Sequence, residues 1–222
     1  MIQVATEAAI GFRSHSGWAE LSILAGPTNS PAVVDRWRIE LADTAIAGSK
    51  QPYHAAEELD LKEAEELISK CAASSTQLAG DALRHAIGEA QTRGYRIAGC
   101  GVLLASGKPL PELPSILASH ALIHSAEGEL FRKVIVQACA DVGLPTTEVK
   151  EKELYARVQN EFGLAQKDVQ CHLVRMGRLI GPPWRQDEKL ATLAAWLALA
   201  ATPRTERADR GHKDKRLRAH VR

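Results

Sequence analysis

Two histidines and a carboxylate stand at helical spacing in the stretch LASHALIHSAEGELFRKVI, residues 117–135. At about 100° per residue, His120, His124, Glu127 and Phe131 fall within about 60° of one another, and Val134 and Ala138 continue the stripe. The spacing predicts polar groups at the start of a core-facing helix face. Left without partners, two buried imidazoles and a carboxylate would be strongly destabilising, so they must bond one another, hold a ligand or line a solvated cleft. Imidazole titrates near neutrality and a carboxylate can orient it, so such a cluster could bind one metal ion or supply an acid and a base. A hydrogen-bonded network that fixes helix on sheet would use the same residues, and His-x-x-Glu spacing is common by chance.

Three further stretches carry chemically capable groups. IGFRSHSGWAELSIL, residues 10–24, reads as two strands joined by a polar turn that holds Arg13, Ser14, His15 and Ser16. GPPWRQD, residues 181–187, presents Trp184 and Arg185 beside Asp187 in a proline turn, where they could stack or grip an anion or simply cover a core. Asp187 itself opens a helix, a position that capping and the helix dipole favour without any function. QPYHAAEE, residues 51–58, sets Tyr53 and His54 just before another helix. His15 and Asp187 are expected at the same end of the sheet as the His120/His124/Glu127 helix, because clefts in open α/β sheets form at strand carboxyl ends. No phosphate-binding loop, nucleophile elbow or dinucleotide fingerprint occurs.

Patterning supplies the elements that must position these groups. After the hairpin come a turn cluster, GPTNSP, and an alternating third strand over residues 32–42. Apolar residues then step by three and four from about Glu57 to Arg93, predicting one long helix or two abutting ones, stopped by Gly94. YRIAGCGVLLA, residues 95–105, reads as a strand buried on both faces. A proline-rich loop, a helix over 119–142 and a last short strand in TTEVKEKEL follow. Two helices, near Gln166–Leu179 and Gln186–Ala201, close the chain.

The order β-β-β-α-β-α-β-α resembles the ribonuclease H-like fold, an α/β architecture with a mixed five-stranded sheet flanked by helices. The likeness is closest to its RuvC-like, Holliday-junction-resolvase branch. There the first strand ends in an aspartate and "GW" or "GY" opens the second, to which IGFRSHSGWAEL is similar, as AEGELFRKVIVQACADVGLPTTEVKEKEL is to a later helix, turn and strand. Actin-like ATPases share the core order, but they need two such domains and phosphate loops absent here. The resemblance implies two divalent metals held by acids on the first strand, near the end of the fourth strand and at the start of the closing helix. Here the first position reads Phe12-Arg13-Ser14, the fourth strand has no acid, and only the closing helix conforms, with Asp187 and Glu188. The expectation is a domain degenerate as a two-metal nuclease, acting as a nucleic-acid-binding or structural module. The alternative is a metal-dependent phosphoester hydrolase with a rebuilt site in which His124, Glu127 and Asp187 are catalytic. Arg13, Ser14, His15, His120, Trp184 and Arg185 are the ligand-binding candidates. No cofactor is called for in the first reading; magnesium enters only in the second.

Residues 1–202 are expected to form the domain and 203–222 a flexible tail. That tail holds eight Lys or Arg against three acids, leaving the rest of the chain mildly acidic. It could neutralise phosphates, so nucleic acid is the expected partner there. Cys71, Cys100, Cys139 and Cys171 form no C-x-x-C pair and are expected as reduced core residues. The longest apolar run, Leu190–Ala201, contains Thr192 and is short for a bilayer span of about 20 residues. A cytoplasmic protein with no membrane partner is expected.

Overall fold

In the computed structural model, which describes residues 5–105 and 109–202, the N-terminal alternation pairs into a meander. Its strands are β1 (Thr6–His15), β2 (Trp18–Ala25) and β3 (Ala32–Glu40). β1 continues through His15, so Arg13, Ser14 and His15 are strand residues and not the expected turn. Their register partners are Glu20, Ala19 and Trp18, leaving only Ser16-Gly17 to reverse the chain. Gly17 does so at φ 81°, a region open to glycine.

A short helix, α1 (Pro52–Ala55), precedes α2 (Leu61–Thr92), which is one unbroken helix. Asp60 caps it, its carboxylate accepting the Glu63 N–H at 2.8 Å. β4 (Tyr95–Leu104), α3 (Leu113–Leu117), α4 (His120–Asp141) and β5 (Thr146–Lys150) follow. The strand expected across TTEVKEKEL stops at Lys150. A single 3-10 turn, Glu151–Glu153, then leads into α5 (Leu154–Phe162), whose buried Leu154 and Val158 show the four-residue spacing of a helix. α6 (Gln166–Ile180) and α7 (Gln186–Ala201) complete the described chain. The tail expected over 203–222 lies outside the described residues.

The sheet runs β3-β2-β1-β4-β5, with the first three strands antiparallel and β4 and β5 parallel to β1. This is the mixed five-stranded sheet expected from the order of the elements. α2 and α4 cover one face, burying Leu83, Ala86, Phe131 and Ile135 against Ile10, Phe12, Leu21 and Ile23. α7 lies on the other, with α5 and α6 outside it, packing Leu193 and Trp196 against Ala9, Leu24 and Leu103.

α7 is apolar nearly all round because it is a core helix wedged between sheet and outer helices. No helix of the described residues is long and apolar enough to cross a membrane. Glycines let α7 approach: a Cβ at Gly11 of β1 would overlap the Ala191 carbonyl oxygen, and one at Gly101 of β4 that of Ala194. In the same contact Ser22 and Thr192 satisfy each other's buried hydroxyls at 2.8 Å. Cys71, Cys100 and Cys139 are buried free thiols, but Cys171 is exposed on α6, correcting the expectation that all four would be interior.

Candidate functional site

Alternation places Arg13 and His15 on the α7 face of β1, where the first turn of α7 brings Asp187 over the strand end. Arg13 Nε lies 3.1 Å from Asp187 Oδ1, and its Nη2 lies 3.4 Å from Glu151 Oε2. His15 Nε2 is 3.0 Å from Asp187 Oδ2, while Arg13 Nη1 lies against both ring nitrogens of His15. Burial first, and Arg13 next, push the His15 pKa below the usual imidazole value, outweighing the opposite pull of Asp187. The neutral form of the ring is thereby favoured, and the fixed cation is Arg13. Trp18 holds the ring in place, stacked on it at 4.0 Å with the Arg38 guanidinium 4.1 Å from the indole centroid.

Beside this network a cleft of about 460 Å³ opens between Trp18, Glu20, Arg38, Arg185, Asp187 and Glu188. Glu20, the cross-strand partner of Arg13, is only 8% exposed. Burial, then the charges of Glu188 and Asp187, push its pKa up to about 7. Glu188 Oε2 accepts the Arg185 N–H at 2.8 Å, so Glu188, not Asp187, caps α7. Glu20 and Glu151 escaped the sequence reading. A signal for Glu20 existed: it shares the period-two face of β2 with Ser22 and Leu24. None existed for Glu151, whose position depends on where β5 ends.

The other expected site residues are distributed as follows. Ser14 alternates to the opposite face of β1. Trp184 packs on Gly177, where any Cβ would overlap the indole, and donates its ring N–H to the Leu173 carbonyl at 2.9 Å. Arg185 is exposed at the cleft.

On α4 the buried stripe runs through Ile123, Ala126, Glu127, Leu130 and Phe131, one position away from the histidines. His120 and His124 are exposed rather than core-facing, a correction that follows from α3 packing Ile116 against Ile123 and Ala126. Glu127 is buried. Its Oε1 accepts the Tyr53 and His54 backbone N–H groups at 2.8 and 3.1 Å and lies 3.3 Å from His54 Nδ1. His15 and Asp187 thus meet on the α7 face, whereas His120, His124 and Glu127 belong to the α4 face. The sheet stands between them.

The metal pair that the resemblance to ribonuclease H-like domains implies does not fit these residues. Hard divalent ions held close together need several shared anionic oxygens, whereas here a guanidinium is ion-paired with Asp187 and Glu151 at the end of β1, and β4 supplies no acid.

The chain matches no protein-family model and no curated protein. Among solved structures it is similar to Thermus thermophilus RuvC, at 9% identity and a TM-score of 0.46 over 85% of this chain and 91% of that one. It is also similar to T. thermophilus RuvC in complex with Holliday junction substrate, at 10% identity and a TM-score of 0.47 over 86% and 90%.

Proposed function

We propose that this chain is a ribonuclease H-like domain that has exchanged metal-dependent cleavage for a fixed ion-pair network and acts as a nucleic-acid-binding or structural module. The observation that carries this reading is the Arg13 guanidinium between Asp187 and Glu151. A side-chain cation held between the two acids takes up their oxygens where a divalent ion would sit and cannot itself polarise a phosphoester as a metal does. The basic residues after Pro203 would neutralise phosphates without reading base edges, so binding would be weak, salt-dependent and indifferent to sequence.

The test is a pair of assays on the full chain with branched and linear DNA and RNA. Magnesium-dependent cleavage is expected to be absent. Replacing Lys213, Lys215, Arg216 and Arg218 by glutamine is expected to abolish binding. Cleavage that requires magnesium and disappears in Asp187→Asn would overturn the reading, and binding unchanged by the tail substitutions would move the interface to the folded body.

A further inference from the structure

We propose that His54, His120 and His124 form a binding site for a divalent transition-metal ion of the zinc class, with Glu127 as the carboxylate that orients His54. This site is on the α4 face and independent of the nucleic-acid reading.

Its ligand atoms come from two elements. His120 and His124 are one turn apart on α4, and their Nε2 atoms lie 3.1 Å apart. α1, whose first residue is Pro52, places His54 against them, with ring centroids 5.4 Å from His120 and 4.7 Å from His124. One nitrogen from each of the three rings lies within 4.8 Å of the others. Three imidazoles each about 2.0–2.1 Å from a common ion have nitrogens about 3.3–3.4 Å apart, so small rotations of the exposed His120 and His124 rings about the half-buried His54 complete the geometry. Imidazole donors select zinc, copper, nickel or cobalt over magnesium or calcium, which prefer oxygen.

Glu127 supplies a second, independent observation. It is 1% exposed, no lysine or arginine among the described residues is paired with it, and its Oε2 has no hydrogen-bond partner there. Burial favours the neutral acid at Glu127, and its ionised form is costly unless positive charge gathers nearby. Its Oε1 is fixed by the Tyr53 and His54 N–H groups and faces His54 Nδ1, which leaves His54 Nε2 free for a metal. This is the carboxylate–histidine–metal relay of structured metal sites. Three protein ligands leave a fourth position for water or an anion, and His54 also lines a cleft of about 550 Å³ with Thr44, Ile46, Lys50 and Gln51.

The experiment titrates metal-free full-length chain with zinc, and with cobalt as a visible-absorbing probe. One ion per chain is expected, with the absorption of a four- or five-coordinate cobalt site. His120→Ala and His124→Ala remove exposed side chains, so folding should survive while affinity falls at least about tenfold in each. Glu127→Gln should weaken binding by about 10–100-fold without changing stoichiometry. His85→Asn and the double variant His212→Ala/His220→Ala, which change histidines outside the cluster, should bind as the parent does. No stoichiometric uptake, or uptake that survives the double variant His120→Ala/His124→Ala, would overturn the proposal, as would uptake lost with the tail histidines.

Discussion

Arg13 on β1 and Asp187 on α7, 174 positions apart in sequence, meet with Nε 3.1 Å from Oδ1. A strand end and a helix start thus share a charge pair that also draws in His15 and Glu151. Because both side chains retain some solvent contact, the pair is more than a surface salt bridge but less than a sealed one.

Arg13→Gln leaves Asp187 and Glu151 without their shared cation. Stability is expected to fall by about 1–2 kcal/mol, read as a lower urea midpoint at unchanged slope. Arg13→Lys should recover only part of the loss, because an ammonium cannot face both carboxylates with separate nitrogens.

Glu20 makes stability fall with rising pH. Its folded pKa of about 7 lies above its ordinary 4.5, so between those values the folded state holds the extra proton. The stability lost on ionisation disappears progressively through that window and is fully lost above pH 7. Glu20→Gln should flatten the profile and raise stability at pH 8 by about 1–3 kcal/mol. Denaturant titrations at pH 5 and pH 8 check this, and a parental profile that rises across the window would refute it.

Gly11→Ala and Gly101→Ala each drive a methyl into an α7 backbone carbonyl. Backbone cannot swing aside like a side chain, so each is expected to cost at least about 1–3 kcal/mol. Gly88→Ala, where an added Cβ meets nothing within 4 Å, should be neutral or mildly stabilising. Thermal melts of the three variants decide the matter.

Millimolar magnesium should leave the melting temperature unchanged, because an ion that binds only the folded state must raise it. Zinc, acting through His54, His120 and His124, should raise it, and His124→Ala should remove that rise. A magnesium-dependent increase abolished by Asp187→Asn would contradict the ion-pair account of the β1 end.

Much of the architecture was legible in the residues themselves. The change from alternation to steps of three and four marked the passage from the meander to α2, and Gly94, at φ 79°, ended it. The closing helix was placed at Gln186–Ala201, and the four-residue spacing of His120 and His124 put them on one face of α4. Such features are local, because side-chain direction within an element follows from its own backbone period. Tertiary structure decided which faces met. His54 reached Glu127 across 73 positions, Glu151 reached Arg13 because β5 ended at Lys150, and Asp187 and Glu127 were parted by the sheet. Periodicity specifies that a face is buried but not what covers it; that follows from sheet order and packing, in which Gly11 and Gly101 let α7 down onto the strands.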